Sequence, residues 1–282
     1  MDQRTCAIIV RDRRGGAPER ILAAVSGQTR PLAKVVLVDH PRGDAAQLPA
    51  EAGPADSQVL ALASDSGPAG AFHAGMKQAY DEGFDWLWLL RDDIVPEPSA
   101  LEALLDASTA VPDLPAPYLL ASKVVTPNGQ LDPENAPFPD TKRVPHAVRS
   151  VSGGLVPVRT AGFASVLVSR AAVRDHGLPE RAYFDRGYDR EYTARLLREG
   201  VGFVVPRSVV RREAEIAPAT SGATEDLYRD VRNAVFMMRG NAWMGREKVQ
   251  LAIDLAPRAR ASGLRSAATI ARGLVDGLRR SP

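Results

Sequence analysis

The sequence predicts an α/β protein built on a mostly parallel sheet flanked by helices, and three observations carry that prediction. Short apolar runs at residues 6–10, 35–38, 58–63 and 86–90 each stop abruptly at polar or charged residues. Stretches with helical spacing separate several of them, and β-α-β alternation favours parallel pairing with right-handed crossovers. The fourth run delivers Arg91-Asp92-Asp93 to its carboxyl end, the edge at which open α/β sheets bind ligands.

Taken in order, residues 6–10 form the first strand and enter the polar loop Arg11-Asp12-Arg13-Arg14-Gly15-Gly16. Residues 18–28 read as a helix with Ile21, Leu22 and Val25 on one face. A second strand, 35–38, closes at Asp39. The first loop lacks Gly-x-Gly-x-x-Gly and no Gly-Lys-Ser/Thr loop occurs, which argues against dinucleotide, adenosylmethionine and phosphate-loop sites. Residues 43–57 read as a surface loop or a short irregular helix. A third strand, 58–63, leads through Ser64-Asp65-Ser66-Gly67-Pro68-Ala69-Gly70 into a helix over 71–82 with Gly83 as its cap. The small residues at that entrance, Gly70 among them, allow a ligand close to the backbone, and a helix N-terminus suits negative charge.

After Trp86–Leu90, Pro96 and Pro98 bar further strand, and a helix starts near Ser99 with Leu101, Leu104 and Leu105 inward. Residues 118–125 form a strand, and Thr126-Pro127-Asn128-Gly129 a turn. Residues 130–158 are proline-rich with few periodic apolar positions, a loop length that is usually functional or mobile. A strand at 162–169 and a short helix ended by Gly177 precede a helix over 189–199 with Tyr192 and Leu196 inward. That puts Asp189 at a helix N-terminus, where a carboxylate is also an ordinary cap worth about 1 kcal/mol. An extended segment, 203–210, runs into Arg211-Arg212, and 225–239 is helical with Leu227, Val231, Val235 and Met238 as core.

The chain has 282 residues and a net charge of +2, so composition makes no case for nucleic-acid binding. Residues 246–282 alone carry +5. There, Leu264, Ala267, Ala268, Ala271, Leu274, Val275 and Leu278 form one stripe, with Arg265, Arg272 and Arg279 on another face. Such a helix suits an anionic membrane surface, its own domain or a second subunit as in a homodimer. The single cysteine, Cys6, excludes an internal disulfide and fits a reducing compartment as a buried, inert thiol. No apolar run has the length of a membrane span, and no signal peptide is recognised. The expected location is the cytoplasm, with peripheral attachment at the inner face of the membrane as its extension.

Five segments, in order and covering about residues 5–240, resemble inverting GT-A glycosyltransferases of family 2, in particular the galactofuranosyl- and rhamnosyltransferase-like branch. They are Val35 to Asp39, Gly67 to Gly75, Trp86 to Pro98, Tyr183 to Leu196, and Tyr228 to Asn233. The resemblance implies a GT-A (Rossmann-like) catalytic domain over 1–224, with a nucleotide-binding part to about 125 and an acceptor part from 126. A basic, amphipathic helical region, 225–282, follows. It implies that Asp39 contacts the base or ribose of a nucleoside diphosphate sugar. Asp92 and Asp93 fall in the acidic motif, Asp93 at the usual metal ligand. Asp189 matches the general base on the acceptor hydroxyl. Glu191 and Tyr192 orient its helix and, with Tyr188 and Phe163, the acceptor, which would be a glycan, a glycolipid or a small molecule.

Two positions depart from that pattern. Arg91 stands where the acidic motif usually opens with aspartate, and Arg211-Arg212 where a metal-ligating histidine usually follows. Arginine offers no lone pair to a metal but forms bidentate bonds to phosphate. Arg91 and Arg212 are therefore expected to replace the cation at the diphosphate, with no obligatory cofactor; Mn²⁺ or Mg²⁺ held through Asp93 is the alternative. The competing reading is a catalytically degenerate nucleotide-sugar-binding or scaffold protein.

Overall fold

The computed structural model describes residues 3–11, 18–39, 56–140, 148–150, 153–213, 223–261 and 266–282. Most of the loop 11–16, most of 43–57, His146, Leu264 and Arg265 lie outside them.

The expected α/β architecture is observed. The strands are β1 (Thr5–Val10), β2 (Lys34–Asp39), β3 (Ser57–Ala61), β4 (Trp86–Arg91), β5 (Ile94–Pro96), β6 (Leu119–Val125), β7 (Phe138–Pro139), β8 (Val156–Thr160), β9 (Ser165–Ser169) and β10 (Gly202–Arg212). They form one sheet in the order β3-β2-β1-β4-β9-β6-β10-β8-β7, with β5 added on β10. The first half is parallel: β1 pairs with both β2 and β4, and β2 with β3. β9 then inserts antiparallel between β4 and β6, and β10 runs parallel to β6. All residues of β1 and β2 are buried, as expected of strands covered on both faces.

Helices α1 (Pro18–Ser26), α2 (Gly67–Asp81), α3 (Ala100–Ala107), α4 (Arg170–His176) and α5 (Tyr188–Glu199) cover the sheet. Three more, α6 (Ala223–Arg239), α7 (Gly245–Ala261) and α8 (Ala267–Arg279), follow β10. Helix α2 starts four residues before its expected beginning, because Pro68 fits the first turn of a helix. Gly83 sits just beyond its end with a φ of 83°, the left-handed conformation that favours glycine. Gly75 lets the helix close on the sheet, since a Cβ there would lie 2.5 Å from Ile8.

Two expectations about strands need correction. Pro96 does not simply end a strand: the chain turns at Asp92-Asp93 and returns as β5, antiparallel to the end of β10. The segment around Pro206 is one strand of 11 residues, 202–212, rather than a shorter one. A register shift between Val205 and Val209 accommodates the proline, as a bulge does. That bulge also brings buried Ser208 to Ser122 (2.7 Å), which meets Ser165 (2.7 Å), the acceptor for the Trp88 indole N–H (3.0 Å). Cys6 is fully buried, and burial pushes its thiol up to about 12, so it is inert as expected.

Helix α8 packs on α6 through its glycines. A Cβ at Gly273 or Gly277 would come within 3.0 Å of Val231 or Val235. The stripe read from the sequence points the other way: Leu274, Val275 and Leu278 are all exposed. Among the described residues no helix is long and apolar enough to cross a membrane.

Candidate active site

The carboxyl ends of β1, β2 and β4 present Arg11, Asp39 and Arg91. Asp39 is 8% exposed, and Arg11 donates to its Oδ1 at 2.9 Å. Arg91 forms a two-pronged ion pair with Asp93, from Nε at 3.0 Å and Nη2 at 2.5 Å. The Arg212 Nη1 donates to the same carboxylate at 2.9 Å. Its Nε and Nη2 hold Asp132 Oδ2 at 2.9 and 2.6 Å, and Nη2 also reaches Glu134 at 3.2 Å. Asn135 Nδ2 completes the relay by donating to Asp132 at 2.8 Å. Burial works to raise the Asp132 carboxyl, but Asn135 and Arg212 outweigh it and hold it below its ordinary value.

This geometry reshapes two expectations. Arg212 is almost wholly buried and spends its donors on three carboxylates, so it braces Asp93 from behind and does not line the cleft. Asp92 is 1% exposed and faces the interior. Asp93, the position expected at a metal, is engaged by two guanidinium groups, and among the described residues no group of three His, Cys, Asp or Glu side chains converges.

Asp189 is the second residue of α5, half-buried, and its Oδ1 accepts the Arg190 backbone N–H at 2.7 Å. Loss of water raises its carboxyl above the ordinary value, and the Arg190 N–H and the Arg91 charge only partly oppose this. It opens on a cleft of about 750 Å³ together with Arg91, Glu134, Asn135 and Tyr188. A Cβ at Gly162 would lie 2.8 Å from Asn135 Oδ1 and 3.4 Å from Asp189 Oδ2. Asn135 cannot retreat, because its amide is tied to Asp132. Gly162→Ala is thus expected to keep the fold and to lower kcat about tenfold, a shift of roughly 1.4 kcal/mol. Steady-state kinetics beside a thermal melt check this.

Glu191 does not line the cleft. Arg195 grips it at 3.0 and 3.1 Å and also donates to the Leu178 carbonyl at 3.1 Å, so the pair anchors α5 to the preceding segment. Phe163 and Tyr192 are likewise core, packed edge-to-face at 5.9 Å, and the Tyr192 hydroxyl donates to the Gly177 carbonyl. Tyr188 is the aromatic of the expected acceptor set that reaches the cleft wall, resting on Phe163 and Phe72. At the entrance of α2 the Ala69 N–H is already used, donating to the Phe184 carbonyl at 2.8 Å. Gly70 makes room for Ser66, whose Oγ a Cβ there would meet at 2.2 Å. His73 bonds the Pro179 carbonyl at 2.8 Å, a structural role.

Sequence reasoning missed Asp132, Glu134 and Asn135. The signal was present, since Asp132-Pro133 is a short-helix start in which Asp132 Oδ1 caps the Glu134 N–H at 2.9 Å. It also missed how far α6 enters the site. Asn233, 1% exposed, donates to the carbonyls of Tyr183 (2.8 Å) and Arg186 (2.7 Å), and Arg229 pairs with Asp185. Arg186 reaches Asp226 at 2.5 Å. These bonds fix residues 182–187, where Phe184 takes a φ of 65°, an uncommon conformation for a non-glycine residue.

The chain is a glycosyltransferase of the GT-A fold. Comparison with known proteins gives this its particular setting, in agreement with the resemblance read from the sequence. Over 208 residues it is 29% identical to galactofuranosyltransferase GlfT1 of Mycolicibacterium smegmatis, spanning 70% of this chain and 67% of that protein. It is 26% identical over 205 residues to GlfT1 of Mycobacterium tuberculosis, spanning 72% and 67%. Crystal structures of S. aureus TarS share the fold. One superposes with a TM-score of 0.61 at 15% identity, covering 99% of this chain and 49% of TarS, so the chain spans about half of that protein. TarS 1–349 in complex with UDP-GlcNAc superposes at 0.60, covering 99% and 82% at 15% identity. No family model matches the chain.

Proposed function

We propose that this protein is an inverting, family 2 glycosyltransferase that moves a sugar from UDP, or dTDP as the alternative donor base, to a glycan hydroxyl in cell-envelope polysaccharide synthesis. The observation that carries this is Asp189, a carboxylate of raised basicity at the head of α5 on the same cleft as Arg91. Asp189 takes the proton from the acceptor hydroxyl as its oxygen attacks the anomeric carbon. The bond to the nucleoside diphosphate breaks on the opposite face, and the diphosphate leaves as an anion. Asp39, at the end of β2, receives the base or ribose. The GlfT1 names favour galactofuranose as the sugar, and the TarS complex with UDP-GlcNAc favours UDP. A radiolabelled transfer assay with UDP-galactofuranose and UDP-GlcNAc tests the reading; failure of both donors to bind or turn over would overturn it.

Arg91 lines the cleft facing the leaving diphosphate, which would share its guanidinium with Asp93, and Arg212 acts behind it by holding Asp93. Transfer is accordingly expected to persist in EDTA and to change less than twofold on adding Mn²⁺. Full loss with the chelator, restored by Mn²⁺, would reject this role for the arginines.

The exposed Leu274, Val275 and Leu278, with Arg272 and Arg279 beside them on α8, support peripheral attachment to an anionic membrane. Flotation with phosphatidylglycerol vesicles is expected at low salt and is expected to be reversed by high salt. A protein that stays at the bottom but sediments as a dimer would assign the stripe to a second copy instead.

A further inference from the structure

We infer that Phe138 is the platform on which the acceptor's own sugar ring stacks, so the acceptor is a glycoside rather than a simple alcohol. This rests on the transferase reading above and deepens it. Phe138 is 51% exposed on the two-residue strand β7, and it lines the same cleft as Asp189. A single exposed aromatic is ordinary elsewhere on a protein surface. On the wall of a polar cleft it leaves an apolar face that a ligand must match.

The lining is mixed: Phe138, Ala136, Met237 and Leu251 are apolar, Glu134, Asn135 and Asp189 carry oxygens that accept hydrogen bonds, and Arg91, Arg186 and Arg190 carry donors. A sugar ring has the complementary shape: C–H groups on one face, which meet the negative face of an aromatic ring, and hydroxyl donors around its edge. A plain alkyl alcohol would leave the carboxylates unanswered. Backbone pairing of β7 with β8 sets Phe138 opposite Thr160, itself a cleft residue.

Saturation-transfer NMR with methyl β-D-galactofuranoside, methyl α-L-rhamnopyranoside, ribitol and glycerol 1-phosphate tests this on the full chain loaded with UDP. For at least one glycoside, transfer is expected to concentrate on the C–H protons of one ring face. It is expected to fall at least fivefold in Phe138→Ala and to be retained in Phe138→Trp. The two non-glycosidic probes are expected to give no signal. The inference is overturned if no glycoside gives transfer in the wild type, if Phe138→Ala leaves it unchanged, or if ribitol or glycerol 1-phosphate gives the stronger signal. UDP affinity and the melting temperature, measured in parallel, separate these outcomes from a misfolded variant and from failure of the donor reading.

Discussion

Asp189→Asn is expected to lower kcat about 10³-fold, inside the 10²- to 10⁴-fold range of a positioned base, with donor affinity within a factor of three of wild type. The amide keeps the shape of the side chain and its bond to the Arg190 N–H but cannot accept the acceptor's proton. Because burial raises the Asp189 pKa, the wild-type rate should climb with pH through a midpoint above the ordinary carboxylate value, and the variant should lose that limb. The same shift has a consequence for stability. A carboxyl whose folded pKa exceeds its unfolded pKa stabilises the fold below the unfolded pKa and loses that contribution as pH rises through the folded one. At neutral pH the wild type has lost it, so the Asn variant should melt at a higher temperature, the two converging in acid. A variant of full activity would remove Asp189 from the role of base, and one less stable at pH 7 would contradict its raised pKa.

The second large effect is on folding. Arg212→Met is expected to cost about 3–5 kcal/mol, because it strands a buried charge rather than removing a pair. Asp132 has no exposed side chain, and Arg212 supplies two of its bonds. Asp132 has a lowered folded pKa, so its contribution is present above the unfolded pKa and lost as pH falls through the folded one. Without Arg212 the deficit should be greatest near neutrality and shrink as Asp132 takes up a proton. Urea denaturation at pH 7 and pH 4.5 measures both. A loss below 1 kcal/mol, or one independent of pH, would show that the relay from Asp93 to Asn135 does not hold this edge of the sheet together.

Much of the framework was legible because apolar runs and turn residues are local signals. The strands from β1 to β4, the helix cap at Gly83 and the start of α5 beside Asp189 all follow from spacing and capping chemistry. The antiparallel insertion of β9 between β4 and β6 was not, since pairing depends on long-range packing that no window of sequence contains. The site shows the same division. Asp189 and Arg91 could be placed by the elements that end beside them. That Arg212 turns inward follows only from its distant partners, Asp132 and Glu134, on a segment that read as irregular loop. Glu191 and Tyr192 looked like site residues because they flank Asp189 in sequence, yet a helix sends neighbours to different faces; Phe163 lies off that helix, between β8 and β9. Phe163 and Tyr192 entered the core, and Glu191 was drawn to Arg195.

The clamp of Arg229 and Asn233 on residues 182–187 bears on how the protein is made. Domains generally fold as units, N-terminal parts first during synthesis, so the parallel half of the sheet can assemble while the ribosome is still translating. The loop ahead of Asp189 gains its braces only once α6 has left the exit tunnel. A nascent chain arrested before residue 239 would therefore carry Asp189 without the bonds that fix residues 182–187 ahead of it.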